Sequence, residues 1–325
     1  MKYSIRSMFI AAALVAAGAH AAPPVPVPAQ RVAHAAQATM LAAERAGERI
    51  VAVGDHGVVL LSDDGGKSFR QAQAVPVDLT LTSLSFIDAR CGWAAGHGGV
   101  VLHTSDGGET WTLQRSELDK DRPLFALRFF DERHGVAVGL WSLVLVTDDG
   151  GASWQPVEMP VPDGAKKADL NLLGLFTDTK GRLFAAAERG MVLRSDDRGR
   201  RWTYLTSGYK GSFWTGLATA DGALLAAGLR GSLYRSTDDG RSWTRVETQS
   251  KASITALAQA GSEIVGIGLD GLVLRSSDGG ASVKTELRTD RVSLTALAIG
   301  ADGRPVLFSR QGVVANTPPA GGAKP

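Results

Sequence analysis

Apolar positions in this chain fall in runs of four to seven residues, separated by turns rich in glycine and aspartate, with almost no helical periodicity. The clearest stretch reads as four strands, Leu81–Ile87, Gly92–Ala95, Val100–Thr104 and Trp111–Gln114, each short and rich in β-forming residues. Tight turns join them, so the stretch predicts one antiparallel meander with strands A, B, C and D. The pattern then repeats along nearly the whole chain.

The repeat is anchored by a box between strands C and D, Ser/Thr-x-Asp-x-Gly-x-x-Trp. Its aspartates are Asp64, Asp106, Asp149, Asp197, Asp238 and Asp278, spaced 42, 43, 48, 41 and 40 residues apart. The box aromatics are Trp111, Trp154, Trp202 and Trp243, with Phe69 and Val283 in the first and sixth units. A period of about 40 to 50 residues with four strands per unit predicts a β-propeller. The expected aspartate role is structural: it accepts hydrogen bonds from the turn's own N–H groups while glycine takes the positive φ. The Trp is expected to pack between neighbouring sheets.

A seventh unit is visible in part, as Leu294–Ile299, Pro305–Phe308 and Val313–Ala315 around the turn Arg310-Gln311-Gly312. It has no box and no outer strand. The fold expected is therefore all-β, a seven-bladed β-propeller of four-stranded antiparallel blades with Asp-box hairpins. Residues 22–33, rich in Pro and Val, are expected to supply the missing outer strand and close the ring, since an edge tolerates proline.

The ends change the reading of composition. Lys2 and Arg6, an apolar run from Met8 to Ala17 and the small residues Ala19 and Ala21 read as a cleaved signal peptide, residues 1–21. The apolar run is too short to span a bilayer. A single domain, 22–316, and a flexible tail, 317–325, complete the expected organisation: an exported, periplasmic chain that does not itself cross the membrane and acts as a monomer. The formal charge of +2 falls to zero once Lys2 and Arg6 are removed. A neutral chain is a poor ligand for nucleic acid, which rewards clustered cations. The one cysteine, Cys91, excludes an internal disulfide and reads as a buried thiol in a strand.

In a meander the B–C turns share one face with the D–A connections, and there the candidate chemistry lies. Arg189, Arg230 and Arg310 fall at closely equivalent turn positions and could bind partner carboxylates, with Trp141 and Tyr209 as aromatic anchors. Trp214 reads as lining of the channel instead. His56 and His97, in turns of neighbouring units beside Asp55, belong to the same candidate partner-binding set, and their geometry is poor for a metal. No metal or cofactor is expected. The long connections Gln114–Leu124 and Val157–Leu170 are the expected specificity elements.

These Asp-box units resemble the bacterial neuraminidase (BNR) repeat family. With Ala-Val-Gly-x-x-Gly before strand C and Asp-Gly-Gly-x-Ser/Thr-Trp after it, they look like its photosystem II stability/assembly factor branch, over residues 45–315. The resemblance implies a seven-bladed propeller with arginines on one face that assists assembly of a membrane complex. Exported bacterial relatives are linked to membrane transport proteins. The expected function is thus non-catalytic binding of a protein partner, as an accessory or assembly factor for an envelope membrane complex or transporter. The alternative is a sialidase-like glycoside hydrolase or a glycan-binding propeller. Against it, the Phe/Tyr-Arg-Ile-Pro motif of sialidases is absent, only Tyr204, Tyr209 and Tyr234 follow the signal segment, and Trp93, Trp141 and Trp214 do not repeat with the blades.

Overall fold

In the computed structural model, which describes residues 25–120 and 122–314, seven antiparallel sheets follow one another along the chain. Six have four strands and the last has three, and within each the strands pair in chain order. The first strands, Met40–Ala46, Leu81–Phe86, Leu124–Phe129, Leu172–Thr177, Phe213–Ala218, Ile254–Ala260 and Leu294–Ile299, touch one another in a closed circle. They form the inner ring of a seven-bladed β-propeller, with the fourth strands at the rim. In the second blade the strands are Leu81–Phe86, Gly92–Gly96, Val101–Thr104 and Thr112–Arg115, within a residue or so of the pattern read from the sequence. The expected signal segment and the tail lie outside the described residues. No helix among the described residues is long and apolar enough to cross a membrane.

The boxes fold as hydrogen-bonded hairpins. Asp106 accepts from the Thr104 hydroxyl at 2.8 Å and from the Thr110 backbone N–H at 3.0 Å, while Thr104 Oγ1 accepts from Gly108 N–H. Gly107 and Gly108 have φ of 71° and 89°, a region closed to most side chains. Serine replaces threonine around Asp64, Asp238 and Asp278 with the same partners. At Asp149 and Asp238, hydrogen bonds led by the hydroxyls of Ser153 and Ser242 hold the carboxyls down at about 2. These carboxylates are consumed by their own turns.

Each box leans on the blade before it. Trp111 joins one apolar cluster with Val51 and Leu61 of the first blade, and Trp202 joins one with Val136 and Val144 of the third. The indole N–H groups of Trp111, Trp202 and Trp243 donate to their own box glycines Gly108, Gly199 and Gly240 at 2.8–3.0 Å. The third blade departs from this. Trp154 packs edge-on against Phe129, its indole N–H is buried without a partner, and Trp93 and Gln114 instead donate to the Gly150 carbonyl. Trp93, 1% exposed, stacks on Phe129 at 3.6 Å and is therefore core between the second and third blades.

Two expectations need correction. Residues 25–33 form no strand and do not pair with the seventh blade. They run along the connection after the first blade instead: Ala29 N–H donates to Val75, Asp78 N–H to Val27, and Val32 N–H to the Gln71 side chain. Proline at 26 and 28 removes alternate N–H donors, so this segment suits isolated bonds to a loop better than a ladder. The seam between last and first blades closes through the Thr295 hydroxyl on the Met40 carbonyl and an edge-to-face pair, Phe69–Phe308, at 5.5 Å. Cys91 lies in the A–B turn rather than in a strand, half-buried, with its sulfur 3.5 Å from His103 Nε2. Burial pushes this thiol up to about 11 and pulls His103 down, so the pair does not favour a thiolate.

Candidate partner-binding face

Every inner strand carries a β-bulge at its second residue. Register shifts leave Leu41, Thr82, Phe125, Leu173, Trp214, Thr255 and Thr295 opposite no partner residue. A bulge re-aims a side chain and ends regular pairing. Since these strands start where the B strands end, the seven residues ring the axis at the face of the B–C turns. Three are threonines that clamp the next blade, Thr82 to Leu124, Thr255 to Leu294 and Thr295 to Met40. The third, fourth and fifth blades place Phe125, Leu173 and Trp214 there instead, all half-buried. One arc of the face is thus apolar at its inner edge, and Trp214 belongs to this lining as expected.

The B–C turns of the same three blades carry Trp141, Arg189 and Arg230, all exposed and all in the left-handed region, with φ of 54°, 57° and 56°. Such a conformation is costly for a bulky side chain and persists where surroundings impose it. They do so here. Trp141 N–H donates to Asn171 Oδ1, Ser142 N–H donates to the Leu170 carbonyl, and Asn171 donates through its N–H and side chain to Glu188. The connection between third and fourth blades therefore straps both turns. Arg189 meets Asp169 of that connection at 3.3 Å, whereas Arg230 makes no ion pair among the described residues. Trp141 keeps 60% exposure, the largest exposed aromatic surface described.

Tyr209 acts differently from the expected anchor. Its hydroxyl donates to the Leu229 carbonyl at 3.0 Å and its ring packs on Phe213 and Tyr234 at 5.3 and 5.4 Å. It is a strut under the Arg230 turn. Alignment on the closing glycines also separates two pairs that the sequence makes look equivalent. His56, Gly98, Trp141, Arg189, Arg230, Asp270 and Gln311 all precede Gly or Ser at one position. Arg310 and His97 sit one residue earlier, level with Asp55 and Glu188. In the seventh blade Ser309 pairs with Gly312 across a two-residue turn, which leaves no room for the longer loop of the other blades. Arg310 therefore lies outside the arc, exposed beside Asp290 and Arg291. His56 pairs with Asp78 at 3.1 Å, and no group of three metal-ligating side chains forms among the described residues.

The opposite end of the axis holds a feature the sequence did not single out. A cavity of about 800 Å³ is lined by Leu84, Leu175, Leu217, Leu257 and Leu297, with Glu44 and Arg128 in its wall 3.7 Å apart. Glu44 also accepts from Phe86 N–H at 2.9 Å, tying the first blade to the second. Burial pushes its carboxyl up to about 7, against the pull of Arg128. Ring closure alone brings these residues together, so no spacing rule could have found them.

Fold and surface together define an all-β scaffold, a seven-bladed propeller whose B–C turns make one face asymmetric. The chain belongs to the family described as photosynthesis system II assembly factor YCF48, whose model matches residues 48–123 and 112–316. Among solved structures, "YCF48 bound to D1 peptide" is similar with a TM-score of 0.70 at 18% identity, covering 90% of this chain and 98% of that one. YCF48 from Cyanidioschyzon merolae gives 0.68 at 16% identity, covering 88% and 97%. The Cps50 (Swd1) propeller of Myceliophteria thermophila gives 0.66 at 14% identity, covering 85% and 94%. At these identities the likeness is one of fold. A search among curated proteins finds no match.

Proposed function

We propose that this propeller is a non-catalytic, exported accessory or assembly factor that binds a protein component of an envelope membrane complex or transporter. The observation that carries the reading is the arc of the third to fifth blades. Trp141, Arg189 and Arg230 stand on adjacent turns held in a fixed, left-handed conformation, above an apolar inner edge. Preorganised Arg and Trp at the centre of a face are the residues that dominate protein interfaces, because little entropy is lost when they dock. The solved relative with a bound peptide supports a protein as the ligand class.

The test is affinity capture from detergent-solubilised envelope with the wild-type chain and three variants, Trp141→Ala, Arg230→Ala and Arg310→Ala. The neighbours of all three residues stay intact, so melting temperatures should agree. A membrane protein retained by wild type and by Arg310→Ala, but lost by the other two, supports the arc. Capture equal in all four, or turnover of a sialoside by the wild type, refutes it.

A further inference from the structure

Among the described residues the seventh blade has no box and no fourth strand, which leaves the sixth blade uncovered in a place that every other blade fills. In the fourth blade, Phe184, Val192 and Leu205 pack with Trp243 of the fifth. A side chain at Gly199 would run into Val136 of the preceding blade, and one at Gly280 into Leu225. Following the ladders, the sixth-blade counterparts of Phe184, Val192 and Leu205 are Val265, Val273 and Glu286. These three line an open cleft of about 350 Å³, walled on the other side by Pro305 and Leu307 of the seventh blade. Leu287 is 47% exposed at its rim. Beside it, the strand Gly312–Val314 has a partner among the described residues on one edge only.

The geometry points to a second docking slot here, which takes an extended segment of another protein that pairs with Gly312–Val314 and seats a large aromatic side chain in the cleft. An extended segment gains backbone hydrogen bonds from an open edge and specificity from a side-chain pocket. The chemistry of the occupant follows from the molecule's own repeats, since six outer hairpins already fill the equivalent place with an aromatic or apolar residue next to an aspartate. The rim matches such a segment. Arg304 is 80% exposed with only a 3.8 Å approach to Asp302, so a carboxylate beside the aromatic has a cation to meet, whereas Arg275 at the cleft wall is already paired with Glu263 at 2.9 Å. Among the described residues none fills the slot. Residues 25–33 are held on the first blade's connection.

The probe is a synthetic peptide of residues 236–247 of this chain, the outer hairpin that carries Trp243, titrated on the full-length protein with hydrogen exchange read in parallel. Saturable binding is expected, with slowed exchange at Val313, Val314 and Leu287. Affinity should fall at least about tenfold for the peptide with Trp243→Ala and for the protein variant Glu286→Trp, which fills the cleft from its own exposed position. The Glu286→Trp variant must melt with the wild type. Three results overturn the proposal: no binding up to about 1 mM, binding that leaves exchange at the seventh blade unchanged, or a wild-type dimer in light scattering that already protects Leu287.

Discussion

Replacing Glu44 by Gln should stabilise the propeller in mild alkali and leave it unchanged in mild acid. The carboxyl has an ordinary value near 4.5 in the unfolded chain and about 7 in the folded one, because burial in the channel wall outweighs the attraction of Arg128 and the Phe86 N–H. Below pH 4.5 the group is neutral in both states and costs nothing. As pH rises towards 7 the unfolded chain ionises first, so stability falls, and above 7 the loss is complete. At about 1.4 kcal/mol per pH unit the ceiling is about 3 kcal/mol. The side chain keeps 27% exposure to the channel, so water screens part of it and about 2 kcal/mol is the better figure. Gln keeps an acceptor for Phe86 N–H and never ionises, so it removes this loss. Thermal melts of both proteins at pH 4.5 and pH 8 read the difference. Equal melting points are expected at the lower pH, and at the higher one a gain for Glu44→Gln of roughly 4 °C for a domain of this size. The box aspartates weaken both proteins alike in acid and cancel. A variant less stable at pH 8, or shifted equally at both, would show that burial does not govern Glu44.

Three further outcomes follow from the packing. Removing residues 25–33 strips partners from Gln71, a side chain only 8% exposed that bonds to Val32 and Gln30, and should cost about 1–3 kcal/mol in chemical denaturation; an unchanged midpoint would mean that water replaces the strap. Asp106→Ala leaves Thr110 N–H and the Thr104 hydroxyl without their acceptor and should cost about 1–3 kcal/mol by the same measurement, with the fold retained by circular dichroism. Cys91 should react with iodoacetamide about a hundredfold more slowly at pH 8 than a free cysteine, and faster as pH approaches 11; a rate like that of a free thiol would contradict its burial.

The architecture was legible because it rests on local chemistry repeated many times. A box aspartate, its Ser/Thr and its glycine fold their own turn, and even strand ends could be read, as in Leu294–Ile299. What stayed hidden depends on register and closure. The bulges at Phe125, Leu173 and Trp214 exist only in the pairing of A with B strands, and a bulge has no sequence signature of its own. The one-residue offset of Arg310 arises from a turn shorter than its counterparts, so counting from neighbouring residues placed it among arginines it does not join. Glu44 and Arg128 are far apart in the chain and meet only when the ring forms. The prolines of residues 22–33 suggest an edge strand, yet within 25–33 they limit the segment to scattered bonds with a loop.

Among the described residues the first blade is built from 40–71 and the last from 294–314, so the two ends of the array meet through side chains and share no strand. The Thr295–Met40 bond spans 255 residues of sequence, so its formation carries a large loop-closure entropy and should come after the blades have stacked. Such a ring behaves like a split washer. It can gape at one line without unravelling any sheet, and a duplicated unit inserted at that line would need only to offer the same threonine and aromatic to its new neighbour.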